Sequence, residues 1–362
     1  MKMGRKIYLA AAGVLVLGGA FFLIDGAGSP PVAPPGPASA AVVLPQIALP
    51  KAAAERVTKI ELSSPDDGDK TRLQLIALER LGGSWEITTP IKTVASTPEV
   101  EELLANLETL HLWKLVDPGT AFYDSYDLTE AKALHVVVWA GAQPLVDFFC
   151  GKSSQDGQLA RLPGRDGIWS LVNWGSEGYQ GFLYTRDLRS WRDAALFNFK
   201  EDDVVSIEIT NRNGVLRLSR DAARPSDPWR GTRAKRSAGG KLAAADGAWT
   251  AFDPEQVQQL LREYHALSAD DFADGVSLAA AGLDRAQATG GVIDLQLRGG
   301  AHLVLRVGRV ANSRTRWAIK DSRWAIKDGG DGTIYALSPF TAGWALADAA
   351  RFESGATARA GR

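Results

Sequence analysis

The sequence predicts an α+β protein: an N-terminal transmembrane helix, then two tandem similar units, each a mainly antiparallel sheet with one principal helix. Three observations predict this fold class. An amphipathic helix pattern occurs twice, at residues 96–112 and 253–267. Strand-like and turn-like segments flank both copies in the same order. An uncharged apolar run occupies residues 7–24, near the lower length limit for a spanning helix.

The two helix patterns share one apolar stripe. Each opens with a capping residue and a proline, and Ser96 with Glu99 predicts a capping box. Apolar residues then recur at the spacing of a helix that buries one face. The stripe consists of Val100, Leu103, Leu104, Leu107 and Leu110 in the first copy and of Val257, Leu260, Leu261, Tyr264 and Leu267 in the second.

The strand patterns around the helices also correspond. VTKIEL is matched by VVSIEI, LHVVVWA by VIDLQLRG, and PLVDFFCG by HLVLRVGR. Trp249 takes the place of Trp85, and AGWALADAARF takes that of RSWRDAALFNF. The shared order predicts a tandem duplication; one larger sheet domain with accidental similarities is the alternative. The predicted segments are a cytoplasmic tip with a transmembrane anchor at 1–24, a Pro/Ala-rich linker at 25–56, the first unit at 57–199, the second unit at 200–353 and a disordered tail at 354–362.

The N-terminal apolar run is preceded by Lys2, Arg5 and Lys6. Positive charge on this side predicts a cytoplasmic N-terminus and a periplasmic location for the bulk of the chain. A cleaved signal peptide is the alternative. The small-residue site at 38–40 lies far beyond the apolar run, which favours an uncleaved, single-pass anchor in the inner membrane through residues 7–24.

Composition and motif spacing exclude several classes of function. A net charge of -1 gives no argument for nucleic-acid binding. The single cysteine, Cys150, excludes an internal disulfide framework and is expected to be a buried strand residue. The four histidines have no metal-ligand spacing, and His111 and His265 are expected on the two helices. We therefore expect no cofactor, no metal and no enzymatic activity, although a Ser–His–Asp triad remains open because its members need not be close in sequence.

Two groups of residues are candidates for partner binding. The second unit carries a polar insertion rich in arginine and lysine, including Arg230, Arg233, Lys235 and Arg236. It is interpreted either as a disordered, solvated loop or as a docking patch for an acidic partner or anionic lipid headgroups. Aromatic residues crowd the predicted loops, among them Trp174 and Tyr179. They either plug the ends of the sheets or contact a sugar or a protein partner.

The sequence resembles the domain of unknown function 4340 family. The resemblance rests on the N-terminal membrane segment, the V-x-K-I-E-L strand, the G-G-S-W-E-I hairpin with its P-I-K-T-x-A-S-T-P-E-V helix entry, and Tyr126-Asp127-Leu128. It implies an envelope protein associated with ABC-type transport systems of the gliding-motility kind, and it supplies no catalytic residues.

Three functions remain in competition. The anchor, linker and repeated fold favour a non-catalytic accessory or scaffold protein of a cell-envelope complex with a protein partner. A binding module for envelope glycans or peptides would use the loop aromatics, and a deep aromatic cleft between the units would favour it. A hydrolase would need a histidine or a pair of carboxylates converging in one pocket.

Overall fold

A computed structural model describes residues 44–65, 73–173, 181–224, 226–237, 240–244, 249–311 and 321–354. From Pro45 onwards the chain forms one compact unit. The predicted transmembrane segment and most of the predicted linker and tail lie outside the described residues. Trp174 and Tyr179 also lie outside them.

The first half of the chain forms a nine-stranded sheet in the order β4-β3-β2-β1-β6-β7-β8-β9-β5. Its strands are β1 Lys59–Pro65, β2 Leu73–Leu81, β3 Ser84–Thr89, β4 Thr93–Val94, β5 Leu110–Asp117, β6 Leu134–Ala140, β7 Gln143–Ser154, β8 Gly157–Leu162 and β9 Arg165–Asn173. Its helices are α1 Lys51–Ala54, α2 Thr97–Thr109 and α3 Leu188–Trp191, with a 3₁₀ turn at Gly181–Leu183. Every neighbouring pair of strands is antiparallel.

The second half forms an eight-stranded sheet, also antiparallel throughout, in the order β12-β11-β10-β14-β15-β16-β17-β13. Its strands are β10 Val204–Asn211, β11 Gly214–Ser219, β12 Arg230–Lys235, β13 Asp271–Phe272, β14 Gly291–Leu297, β15 His302–Val310, β16 Arg323–Lys327 and β17 Tyr335–Leu337. Its helices are α4 Pro254–Tyr264, α5 Leu278–Ala281, α6 Ala286–Thr289 and α7 Pro339–Ala342, with 3₁₀ turns at Glu201–Asp203 and Ala349–Phe352.

The two sheets have the same strand order once the two-residue strand β4 is set aside. When the strands of each half are numbered one to eight in chain order, without β4, both sheets have the order 3-2-1-5-6-7-8-4. In each half the principal helix, α2 or α4, comes between the third and fourth of these strands. The prediction of two mainly antiparallel sheet units with few helices is confirmed.

The predicted apolar stripes are buried in both halves. All ten stripe residues are at most 6% exposed, and those of the second half belong to one core cluster. The first helix is shorter than predicted, because α2 ends at Thr109 and Leu110 begins β5. Leu110 and Leu112 are buried on either side of half-buried His111, and this period of two is that of a strand. The prediction that His111 lies on a helix is therefore wrong.

The end of the predicted linker is packed onto the first half. Leu49 is buried, and its backbone N–H donates to the carbonyl oxygen of Leu107 at 2.9 Å. Ile47 and Ala53 are buried as well, and α1 begins directly after Pro50. Proline at a helix N-terminus is compatible with the fold because its missing N–H would have had no helical partner there.

The predicted match between the closing segments is wrong. An ungapped alignment would place Trp344 on Trp191. The structure instead joins Ala95 to Arg192 and Phe252 to Glu353 by equivalent antiparallel bridges. Ser96 N–H donates to the carbonyl of Trp191, and Asp253 N–H donates to that of Phe352, both at 2.8 Å. Phe352 therefore takes the place of Trp191, and Glu353 takes the place of Arg192.

Candidate partner-binding site

The predicted basic insertion forms a strand at the edge of the second sheet. Arg230 to Lys235 form β12, which pairs with β11 over six residue pairs from Ser219↔Arg230 to Gly214↔Lys235. The expectation of a disordered loop is therefore wrong for this stretch. Pairing with β11 satisfies backbone groups that a polar segment would otherwise leave to water. Trp249, the predicted counterpart of Trp85, lies outside the strands, and β12 holds the sheet position of β3.

Arg233 on β12 is held by Glu353 and Trp249. Its Nη1 lies 2.6 Å from Glu353 Oε1, and its guanidinium lies 5.1 Å from the centre of the Trp249 ring. Trp249 Nε1 donates to the same carboxylate oxygen at 3.1 Å. This charge-assisted pair and the cation–π contact hold β12 against the C-terminal turn, which is the 3₁₀ turn Ala349–Phe352 with the following Glu353.

The other three basic residues lie near the surface. Arg230 and Lys235 are exposed, whereas Arg236 is half-buried and donates from Nη1 to the carbonyl of Gly240 at 3.0 Å. A bridge between Arg236 and Leu242 turns the chain back beside the end of β12. Exposed Arg212 lies in the turn between β10 and β11. We refer to Arg212, Arg230, Arg233, Lys235 and Arg236 together as the basic edge.

A cavity of about 540 Å³ lies between the basic edge and the C-terminal turn. The β10–β11 turn, the end of β12 and residues 347–350 and 353 line it. Its described lining carries four cationic side chains and two carboxylates. The cations are Arg212, Arg233, Lys235 and Arg236, and the carboxylates are Asp348 and Glu353. The cavity therefore suits a carboxylate- or phosphate-bearing ligand.

The comparison with known proteins places the chain in a family. Residues 85–286 match the model of the family described as Domain of unknown function (DUF4340). The chain belongs to the DUF4340 family. The matched span begins in β3 and ends at the first residue of α6, so it contains both principal helices and the basic strand β12. No curated protein and no solved structure matched this DUF4340 protein.

In the DUF4340 protein the described loop aromatics of the first half differ in burial: Phe122 is 50% exposed, whereas Tyr123 and Tyr126 are half-buried. Tyr123 and Tyr126 pack on a small apolar cluster, and Tyr123 Oη donates to the carbonyl of Gly167 at 3.2 Å. Three further aromatics that were predicted on loops lie on strands, namely Trp169 on β9, Trp324 on β16 and Tyr335 on β17. Trp169, Trp324 and Trp344 are buried, and Tyr335 is half-buried. Their burial favours a packing role for these residues over contact with a partner. The prediction for Trp174 and Tyr179 falls outside the described residues.

Among the residues that the structure describes, the junction between the two halves does not have the aromatic lining that a glycan cleft needs. Two cavities of about 460 and 620 Å³ lie there, and Arg192 lines both. Phe272 is the one aromatic residue among their described lining residues. Polar and charged side chains make up much of the remainder, so the described part of the junction does not favour a stacking site for sugars.

The described histidines and the cysteine have structural surroundings. His135 Nε2 lies 2.7 Å from Asp147 Oδ1, and the imidazole stacks on Phe149 at 3.8 Å. His302 Nδ1 lies 2.8 Å from Asp294 Oδ1. Cys150 is buried on β7, as predicted. Within the described ranges, no three His, Cys, Asp or Glu side chains are grouped so as to hold a metal ion.

The predicted membrane anchor is not represented among the described elements. Of the helices in the part of the chain that the structure describes, none combines the length and apolarity required to span a membrane. Residues 7–24 lie outside that part.

Proposed function

We propose that this DUF4340 protein is a non-catalytic accessory or scaffold protein of a cell-envelope complex. In this proposal residues 7–24 hold it in the inner membrane, the bulk of the chain lies in the periplasm, and the family resemblance implies an ABC-type transporter as the complex. The basic edge carries the proposal. It presents cations on a strand and around a cavity, an arrangement that attracts and orients an acidic segment of a protein partner.

The comparison between the halves supports a specialised role for this surface. In the first sheet, β4 pairs with the outer side of β3. In the second sheet β12 is the equivalent of β3, but it is the terminal strand and carries Arg230, Arg233 and Lys235. We propose that a tandem duplication produced two similar units and that the second unit then acquired a basic edge for binding.

Charge reversal on the basic edge tests the proposal. Arg230→Glu with Lys235→Glu changes two exposed side chains that take no part in the Arg233–Glu353 pair. The full-length variant is cross-linked in cells at native expression and extracted in detergent. We expect it to retain about a tenth of the co-purified partner, a loss that corresponds to about 1.4 kcal/mol of binding free energy. Raising the salt concentration should weaken capture by the unaltered protein in the same direction.

A matched control is Lys200→Glu with Arg285→Glu, which makes the same change in net charge at two exposed residues outside the basic edge. This control should retain the partner. Equal capture by both double variants would contradict the role of the basic edge. Recovery of the unaltered protein alone would contradict the scaffold proposal as a whole.

A further inference from the structure

The hexapeptide Arg-Trp-Ala-Ile-Lys-Asp occurs twice in succession in the second half, at residues 316–321 and 323–328. Only Ser322 separates the copies, so each residue of the first copy precedes its identical counterpart by seven positions. The structure places the second copy in the sheet, because its first five residues form β16. Residues 312–320, and with them most of the first copy, lie outside the described residues.

The second copy is held by side-chain contacts and by pairing with both β15 and β17. Trp324 is 5% exposed, and Arg323 Nη1 donates to the carbonyl of Gly308 at 2.8 Å. Asp328 Oδ2 lies 2.7 Å from Arg306 Nη2. A slip by an odd number of residues normally turns the buried side chains of a strand to the other face. Here a slip of seven restores every residue type, so the first copy can make the same contacts.

The residue before each copy is also similar. Ser322 is fully buried, and its carbonyl accepts from the N–H of Ala311 at 2.7 Å. The corresponding residue before the first copy is Thr315, which keeps the hydroxyl group. A slip of seven residues therefore brings Thr315 opposite Ala311. Residues 312–314 are then left as a three-residue hairpin loop, which is one of the common lengths.

Both connections of β16 have the length that such a slip requires. In the observed register ten residues, 312–321, connect Ala311 to Ser322, and seven residues, 328–334, connect β16 to β17. In the shifted register these connections have three and fourteen residues. Doubling the length of a flexible loop lowers its closure probability only about threefold. The longer connection therefore opposes the slip weakly.

The turn after the hexapeptide favours the observed register. Gly329 follows the second copy and has a φ of 75°. In the shifted register Ser322 takes this position, and a residue with a side chain is disfavoured at positive φ. The identical hexapeptides do not distinguish the registers, so this turn makes the observed register the major state.

We propose that β16 exchanges between two registers, in which either the second or the first copy of the hexapeptide pairs between β15 and β17. The exchange transfers seven residues from one connection of the strand to the other. The connection that lengthens carries residues 331–334, which line the cavity of about 620 Å³ at the junction of the halves. The register therefore changes the wall of that cavity. This inference is independent of the basic edge.

Aspartate substitutions in the two copies test the exchange through thermal unfolding of the full-length protein in detergent. Ala325 is fully buried, and Ala318 is its counterpart in the first copy. Ala325→Asp would bury a carboxylate in the observed register, so this variant should adopt the shifted register and lose at most about 4 °C in Tm. Ala318→Asp should leave the Tm unchanged. The double variant has no intact copy and should lose at least about 10 °C.

Ala336→Asp is the matched control, because Ala336 is fully buried on β17 opposite Trp324 and belongs to no repeated segment. It should lower the Tm as much as the double variant does. An equal loss of Tm in Ala325→Asp and in the double variant would overturn the proposal. So would a double variant as stable as the unaltered protein.

Disulfide trapping in a Cys150→Ala background detects the shifted register directly. Arg306 lies opposite Ile326 in the structure, and in the shifted register it lies opposite Ile319. Opposed strand residues have Cα atoms about 4.5–5.5 Å apart, within reach of a disulfide. Under mild oxidation Arg306→Cys should therefore close with Ile326→Cys and, more slowly, with Ile319→Cys. Arg306→Cys with Arg314→Cys is the control, because Arg314 is opposite Arg306 in neither register.

Two results of the trapping would overturn the proposal. One is closure of the Ile326 pair alone, which would show that the first copy does not enter the sheet. The other is closure of the Ile319 and Arg314 pairs at equal rates, which would show that strand pairing does not direct the reaction.

Discussion

Tyr264 is wholly buried on α4, and its hydroxyl donates to the carbonyl of Thr341 at 3.0 Å. Burial raises the pKa of Tyr264 above its ordinary value, because the phenolate would lose its hydration. Below pH 10 the hydroxyl is neutral in both the folded and the unfolded chain, so its contribution to stability is fully present. Above that pH the unfolded chain ionises first, and stability is lost.

Tyr264→Phe should cost about 1 kcal/mol of unfolding free energy at pH 8, where it removes one buried hydrogen bond. The free energy of unfolding should also fall less steeply with pH in this variant between about pH 9 and pH 11, the range around the ordinary tyrosine pKa. Urea unfolding across this range measures both effects. An alkaline loss in Tyr264→Phe as steep as that of the unaltered protein would contradict the explanation.

Gly231 is required by the packing beneath β12. A Cβ at this position would lie 2.7 Å from the Phe252 ring and 2.8 Å from that of Trp249. Gly231→Ala should therefore destabilise the protein by about 1–3 kcal/mol, the usual cost of overpacking. Gly299→Ala is the matched control because its Cβ would meet nothing within 4 Å. Urea unfolding of the two variants checks the difference, and equal midpoints would show that the rings can move aside.

At the scale of elements, the two principal helices hold equivalent positions. Leu103 on α2 and Leu260 on α4 are both fully buried. Leu103→Ala and Leu260→Ala should each cost about 2–5 kcal/mol through lost burial and a residual cavity. Leu278→Ala, at a residue that is 48% exposed, should cost much less. Chemical denaturation of the three variants checks this order, which a cost confined to one helix would contradict.

Hydrophobic periodicity identified the strong elements and missed those set by tertiary contacts. The stripes of α2 and α4 and the alternating central strands follow from side-chain spacing alone. The strand β12 carries arginine and lysine, so its polarity indicated a loop, and only pairing with β11 makes it a strand. The capping box at Ser96 failed for a similar reason, since Trp191 and Arg186 take its partners.

At the scale of the whole molecule, the two halves are joined by more than the covalent chain. Arg192 pairs with Asp274, and residues 194–199 bond to the backbone of residues 265–269. We therefore expect the unaltered protein to unfold in one calorimetric transition. Because the halves share these contacts, unfolding of one half removes interactions that stabilise the other.

Arg192→Met should weaken this coupling by about 2 kcal/mol, through lost charge-assisted hydrogen bonds and the cation–π contact with Phe272. The expected result is two separated calorimetric transitions. Arg306→Met is the control, because Arg306 forms an exposed pair with Asp328 and should cost less than about 1 kcal/mol. A single, equally shifted transition in both variants would contradict a coupling role for Arg192.

The sequence predicted the order of elements in both halves but not the contacts between distant segments. Matching tryptophans misplaced the closing segment, whereas backbone bridges pair Arg192 with Glu353 as equivalents. Arg233, Lys235 and Arg236 were recognised from local charge, and they line the cavity. Arg212 was missed because it lies in the turn after β10, and only the pairing of three strands brings it to the same place.

The segment that follows Asp193 has a consequence for biosynthesis. Leu196, Phe197 and Phe199 belong to the core of the second half, although they precede its first strand. During synthesis these three large apolar side chains therefore emerge directly after the first sheet and stay exposed. The core that buries them is complete only about 150 residues later. We expect the nascent chain to recruit chaperones during this interval, and stalled translation just after β10 should yield aggregates.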